Sequence, residues 1–322
     1  MPKGSWDQGD LERAHRKGLM TQAQAARADR GEITALADGQ SVREKSPEGT
    51  DLAASLYLDL MKKCLTRVLF PEQSQSLFPR KSRMGRVTWR WAQSLLAHFD
   101  INLVQTGAVN LEARLEGVDW PAGAETMIGL KRLNNLEDCI SDVLRSEVPG
   151  DLIETGVWRG GATIFMRAVL KAYQKKDRVV WVADSFQGLP KPNARKYPAD
   201  AGDKLWRTKQ LAVPLEDVQE SFRRYGLLDD QVQFLPGWFR DTLPTVPIER
   251  LAILRLDGDL YESTMDALTH LYPKLSPGGY AIIDDYALPP CQAAVDEYRK
   301  QHQITEPMVR VDQFAQFWQR RR

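Results

Sequence analysis

The sequence predicts an α/β protein built on a doubly wound, mostly parallel sheet. Three observations lead there. From Pro149-Gly150 onward, short apolar segments alternate with amphipathic ones, the rhythm of successive strand–helix units. Most of the apolar segments are rich in branched residues, as strands covered on both faces must be. The segments also end in chemically loaded residues, and the carboxyl ends of strands are where an open parallel sheet places its ligand crevice.

Residues 1–52 are rich in Gly, Ala, Gln and charged residues, with few large apolar ones, and read as a flexible extension. Within it Leu11 to Ala37 has the composition of a transient helix and Asp38–Asp51 that of a linker; a docking arm for a partner subunit is the sharper reading. Residues 53–148 form a second, helical region. Leu56, Leu58, Leu60, Met61, Leu65 and Val68 fall near helix spacing, and Gly129 to Leu144 shows the same periodicity. Between them lies a basic stretch, Phe78 to Arg86, followed by Trp89 and Trp91. A solvated loop beside a packed Trp explains it better than nucleic-acid contact, because the net charge is only +1.

Residues 149–322 make the third region. Strands are expected at Leu152–Val157, Val179–Asp184, Val232–Leu235, Leu251–Asp257 and Tyr280–Asp284, with two short ones in Met308–Asp312 and Phe314–Gln319. That makes a seven-stranded Rossmann-like sheet. The helices are Ala162–Gln174, Leu215–Tyr225, Tyr261–Leu275 and Gln292–Gln301. No run approaches the roughly 18 apolar residues of a membrane span, and the first residues carry no apolar signal core. The three cysteines, Cys64, Cys139 and Cys291, form neither a metal-ligand pair nor a disulfide framework, so a cytoplasmic location is expected.

The first strand runs into Glu154-Thr155-Gly156-Val-Trp-Arg-Gly160-Gly161 before a helix. Glycines at such a turn let backbone approach a ligand or another element closely. Their spacing is not the G-x-G-x-x-G that cradles a pyrophosphate, which counts against a nicotinamide dehydrogenase. Asp184, at the end of the second strand, can bind the ribose hydroxyls of a nicotinamide or an S-adenosylmethionine alike, and Gly237-Trp238-Phe239 after the third strand can wall an adenine or pack as aromatics of a core loop. Adenosine without a pyrophosphate cradle favours S-adenosylmethionine.

The fourth and fifth strands end in Asp257-Gly258-Asp259 and Asp284-Asp285. Carboxylates converging in one crevice repel unless a cation or a shared proton relieves them. With no His or Cys nearby, the cation that fits is hard: Mg²⁺, with Mn²⁺ or Ca²⁺ as variants. The chemistry agrees. An alcohol is a poor nucleophile toward a sulfonium methyl until a metal lowers its pKa and a carboxylate takes its proton. Asp257, Asp284 and Asp285 are therefore the candidate metal ligands and Asp259 the candidate general base.

These residues also resemble the macrocin O-methyltransferase family, whose members decorate macrolide and aminocoumarin antibiotics. The similar stretches are Leu58-Asp-Leu-Met-Lys-Lys-Cys-Leu, Thr126-Met-Ile-Gly, Pro149-Gly-Asp-Leu-Ile-Glu-Thr-Gly-Val-Trp-Arg-Gly-Gly-Ala, Ala183-Asp-Ser-Phe-Gln-Gly-Leu-Pro, Leu254-Arg-Leu-Asp-Gly-Asp-Leu-Tyr-Glu-Ser-Thr and Ile283-Asp-Asp-Tyr. The resemblance implies a class I, Mg²⁺-dependent O-methyltransferase using S-adenosylmethionine on a sugar hydroxyl of a glycosylated natural product. It also implies a homodimer with helical lid elements in residues 53–148. By position it assigns Glu154, Thr155, Gly156, Asp184 and Ser185 to the cofactor, with Met127 and Ile128 closing on its methionine end. It repeats Asp257, Asp284 and Asp285 as metal ligands, and draws the base from Asp257-Gly-Asp259, either Asp259 or a metal-bound Asp257. The same machinery on a phenol or catechol is the alternative, with Trp89, Trp91 and Trp120 as its aromatic contacts. A non-catalytic binder of S-adenosylmethionine is the other. No nucleic-acid or membrane partner is expected.

Overall fold

The strands form as their composition demands. Leu152, Ile153, Val180, Val182, Ala183, Ile253, Leu254 and Leu256 carry branched or small side chains that lie buried between helical layers. The computed structural model describes residues 50–70, 74–76, 104–106, 110–119 and 123–321. The expected helix and linker before Asp51, the Phe78–Arg86 stretch, Trp89, Trp91 and Trp120 lie outside the described residues.

In chain order the elements are α1 (Thr50–Leu65), β1 (Ser74–Ser76), β2 (Val104–Thr106), α2 (Leu111–Glu116), α3 (Leu130–Arg145), β3 (Asp151–Thr155), α4 (Gly161–Ala172), β4 (Val180–Asp184), α5 (Leu215–Arg224), β5 (Val232–Pro236), α6 (Phe239–Thr242), β6 (Leu251–Leu256), α7 (Tyr261–Leu271), β7 (Leu275–Ile283), α8 (Pro289–Gln301), β8 (Val309–Arg310) and β9 (Gln316–Gln319). β1 and β2 pair with each other, antiparallel. The other strands form a seven-stranded sheet in the order β5-β4-β3-β6-β7-β9-β8. β3 to β7 are mutually parallel and β9 runs antiparallel between β7 and β8. The chain leaves β3 toward one edge through β4 and β5, then returns to place β6 on β3's other side. That reversal opens the crevice beyond the ends of β3 and β6.

Ala53–Arg322 forms one compact unit. One layer of its core holds α4, α5 and α3, with Phe165, Phe222 and Leu136 buried against the sheet. The other holds α7 and α8, with Leu268, Val295 and Tyr298. On α1, Leu58, Met61 and Leu65 face inward while Leu56 and Leu60 stay 63% and 50% exposed.

Several boundaries differ from the sequence reading, the helix expected to reach Leu275 ending at Leu271 among them, and two have a clear physical reason. β7 begins at Leu275, although Ser276-Pro-Gly-Gly279 reads as a turn. The register slips between Leu251↔Leu275 and Ile253↔Tyr280, so these residues bulge out of the ladder, with Gly278 at φ +87°. α8 starts at Pro289, three residues early, because two prolines fit the first turn where N–H groups go unpaired anyway. Among the described residues no helix is long and apolar enough to cross a membrane.

Candidate active site

The crevice beyond β3 and β6 is a cleft of about 730 Å³, including its open mouth. Met127, Gly156, Asp184, Ser185, Trp238, Phe239, Asp257 and Asp259 line it, so eight of the expected site residues meet there. Among the described residues, Asp257, Asp284 and Asp285 form a trio in which one carboxylate oxygen from each lies within 4.8 Å of the others. Two register facts bring this about. β6 and β7 are in step, Leu256 opposite Ile283, and the chain leaves both strands at one level.

Asp259 sits in the left-handed region at φ +56°, a conformation that Asp tolerates better than most residues. Its backbone N–H donates to Asp285 Oδ2 at 3.1 Å. Burial, then the charges of Asp257, Asp203 and Asp284, push its carboxyl up to about 8. Burial, then the charges of Asp259, Asp257 and Asp284, drive Asp285 well above the carboxylate range. Desolvation and Asp284 raise Asp257, against the pull of Arg255.

Two arginines that the motif reading passed over share this pocket of acids. Arg255, 1% exposed, projects from β6 and contacts Glu154, Asp257 and Asp284 at once, its Nη1 lying 2.8 Å from Asp257 Oδ2. Arg132 of α3 reaches Asp284 Oδ2 at 2.5 Å and Asp312 Oδ2 at 2.7 Å. Burial works against the Arg132 charge, and Asp284 and Asp312 more than offset it. Both cations were visible in Arg132 and in Leu254-Arg255-Leu256, but an Arg between leucines gives no sign of which face it takes.

Against Glu154, Asp257, Asp259, Asp284, Asp285 and Asp312, two guanidinium groups leave an acidic excess. The donor set is all oxygen and the trio is close enough to share one ion, so these residues fit a hard divalent cation. Asp284 has both oxygens engaged by arginine, whereas arginine engages only Oδ2 of Asp257, and Asp285 Oδ2 accepts only a backbone N–H.

Three expected cofactor residues fall elsewhere. Ile128 is buried in the core, and its carbonyl, like that of Met127, accepts from Arg114. Glu154 points beneath the cleft at Arg255, and its other oxygen, Oε2, is buried without a hydrogen-bond partner. Burial, opposed by Arg255, pushes it up to about 8. Thr155 is 1% exposed and follows strand alternation to the opposite face. The glycine turn packs protein on protein. A Cβ on Gly156, at φ +88°, would overlap the Asp257 carbonyl oxygen, and one on Gly161 would crowd Glu125. Asp184 uses its oxygens to accept from the backbone N–H groups of Val157 (2.8 Å) and Phe186 (2.7 Å), which tie the turn after β3 to the end of β4. Trp158, at φ +48°, and Gly188 to Pro190 complete the rim beside Leu211.

This geometry belongs to a known family. The sequence profile of the macrocin-O-methyltransferase (TylF) family matches residues 54–320. The chain belongs to that family. It is 49% identical over 268 residues to the mycinamicin III 3''-O-methyltransferase of Micromonospora griseorubida, covering 82% of this chain and 96% of that protein. It is 50% identical over 270 residues to the 8-demethyl-8-(2,3-dimethoxy-alpha-L-rhamnosyl)-tetracenomycin-C 4'-O-methyltransferase of Streptomyces olivaceus, covering 84% and 94%. The solved structure of the O-methyltransferase NovP superposes with a TM-score of 0.71 at 49% identity, covering 84% of this chain and all of that one. This macrocin O-methyltransferase homologue is thus an O-methyltransferase on the class I methyltransferase fold.

Proposed function

We propose that the enzyme moves the methyl group of S-adenosylmethionine to a sugar hydroxyl of a glycosylated natural product, with Mg²⁺ held by Asp257, Asp284 and Asp285 and Asp259 as general base. The observation that carries this reading is the carboxylate trio at the edge of a cleft that also holds Gly156, Asp184 and Trp238. The sugar-directed names of the mycinamicin and rhamnosyl-tetracenomycin relatives support the acceptor class.

The chain's own part follows from placement. Gly156 and Asp184 shape the floor for an adenosyl group, and Trp238 and Phe239 supply an apolar wall for the base. Met127 lines the same cleft for the methionine end. S-adenosylmethionine, when bound, supplies a methyl already activated on a sulfonium, and Mg²⁺ supplies Lewis acidity toward an alcohol. Asp259, once ionised, is a stronger base than an ordinary carboxylate because its surroundings favour the protonated form. It accepts the hydroxyl proton as the O–CH₃ bond forms and the S–CH₃ bond breaks, leaving a neutral thioether. Asp285 holds Asp259 in place through the Asp259 N–H.

A homodimer belongs to the same reading, supported by the exposed Leu56 and Leu60 stripe on α1 and Phe70 beyond it. Sedimentation velocity at micromolar concentration tests it; a monomer throughout would remove that part. The catalytic reading is tested with a rhamnosyl macrolide or tetracenomycin acceptor, with and without EDTA, and with Asp257→Ala. Turnover should fall at least about a hundredfold in both cases. Unchanged turnover in both would remove the metal from the mechanism, and methylation of catechols in preference to rhamnosides would replace the acceptor class.

A further inference from the structure

The chain between β4 and α5 runs from Ser185 to Pro214, far longer than the roughly 12–15 residues at which a connection becomes unusual. It contains three short 3₁₀ turns, Pro198–Asp200, Leu205–Arg207 and Lys209–Leu211. Both of its ends border the cleft, through Gly188 to Pro190 and through Leu211. Each end is fastened locally: Ser185 Oγ donates to the Gly188 carbonyl at 2.7 Å, and Trp158 Nε1 donates to the Gln210 carbonyl at 2.8 Å.

Its middle is fastened to the catalytic loop. Asp200 is 1% exposed, and its Oδ1 accepts from the Tyr261 N–H at 2.6 Å while Oδ2 accepts from the Glu262 N–H at 3.1 Å. Those are the first N–H groups of α7. The residue at that helix's own N-cap is Leu260, which has no side-chain oxygen to offer and makes no capping hydrogen bond. The cap therefore comes from about sixty residues away, and a carboxylate there also meets the positive end of the helix dipole. Leu260 follows Asp259 directly, and its N–H reaches back to the Gly258 carbonyl at 2.5 Å. The orientation of Asp259 thus depends on two fixed points: the Asp285 carboxylate before it and the capped start of α7 after it. Tyr197, on the same segment, packs its ring 5.9 Å from that of Tyr261, a second contact at the same joint.

We propose that Asp200 is a positioning residue for methyl transfer: by capping α7 from the cleft-bordering loop, it latches that loop to Asp257-Gly258-Asp259 and sets Asp259 against the acceptor hydroxyl. Donor binding depends on the separately fastened loop ends, so the latch acts on turnover and on the acceptor more than on the donor.

The inference rests on Asp259 acting as the base, and the experiment separates the two. Asp200→Ala, Asp200→Asn, Asp259→Asn and Val295→Ala are assayed together. Val295 is a fully buried core residue of α8, and its variant controls for lost stability. With Asp200→Ala, kcat should fall by about ten- to a hundredfold, the effect of a reacting group set slightly out of place. Its S-adenosylmethionine Kd by calorimetry should stay within about threefold. Asp200→Asn, which keeps one acceptor oxygen, should recover part of the loss. Val295→Ala should keep wild-type kcat at a temperature where both variants are folded by circular dichroism. Wild-type kcat in Asp200→Ala beside an inactive Asp259→Asn overturns the latch alone. So does a loss of turnover in Val295→Ala equal to that in Asp200→Ala, since the effect would then be one of stability. Turnover surviving in Asp259→Asn overturns the base assignment and the latch with it.

Discussion

Replacing Arg255 by Met tests whether the acidic crevice is held together by its own guanidinium groups. Arg255 contacts Glu154, Asp257 and Asp284 in a site where it is 1% exposed. Removing one partner of a buried ion pair costs about 3–5 kcal/mol, because the remaining charge has no water to return to. Asp257 and Asp284 lose a charged partner here, Glu154 being largely protonated at pH 7, and Asp284 keeps a second one, Arg132. The upper half of that range is expected at pH 7. The pH dependence follows from Glu154. Its folded value, about 8, lies above its unfolded value, so its contribution is complete below the unfolded value and lost as pH rises through 8. Without Arg255, the one attraction lowering it is gone and the folded value climbs further. Wild type and variant then lose stability together up to pH 8. Above it the variant alone keeps losing about 1.4 kcal/mol per pH unit. Urea unfolding in EDTA at pH 7, 8 and 9 measures this. Glu154→Gln in the Arg255→Met background should flatten the rise above pH 8. A deficit under about 1 kcal/mol at pH 7, or one that shrinks above pH 8, would refute the reasoning.

Other consequences are equally direct. Gly156→Ala should lose more than about 2 kcal/mol of stability or fail to fold, since strain at positive φ adds to a clash with backbone. Gly202→Ala, at φ +86° with nothing within 4 Å, should lose only about 1 kcal/mol; equal melting temperatures for the two would sink the packing argument. Mg²⁺ titrated into metal-free enzyme at pH 7 should release protons, because Asp259 at about 8 and Asp285 above the ordinary range hold them there. Affinity should therefore weaken as pH falls from 8 to 6. Calorimetry in two buffers of different ionisation heat reads the released protons, and identical heats with pH-independent affinity would contradict the burial of these acids.

Much of the sheet was legible because its signal is local. Val180–Asp184 and Leu251–Leu256 announce themselves by branched residues and by the polar residues that stop them. β7 was cut short because Pro277-Gly278-Gly279 is turn chemistry wherever it occurs, and only the neighbouring strand's register turns it into a bulge. The carboxylate trio was legible for a similar reason: once β6 and β7 are neighbours, acids at their ends must meet. Three residues of the expected cofactor set, Ile128, Glu154 and Thr155, do not line the cleft. Ile128 and Thr155 each adjoin a cleft-lining residue, Met127 and Gly156, but are themselves buried, while Glu154 turns to Arg255.

What spacing could not give was the counter-charge. Asp257-Gly-Asp259 and Asp284-Asp285 read as a repulsion awaiting a cation, and a metal was the simplest supply. The fold supplies part of it first. Arg255 comes from within β6, and Arg132 from a helix more than a hundred residues earlier in the chain. These two pin Asp284 from both sides, so the cage keeps one fixed wall whether or not a metal is bound. Asp257 and Asp285 retain oxygens free of arginine, and Asp259, which Arg255 and Arg132 leave to its acidic neighbours, has a raised pKa. The acids are thereby sorted by partner rather than by sequence motif. Those next to guanidinium are held in place, and in the proposed mechanism Asp259, without such a contact, is the acid that exchanges a proton with an acceptor.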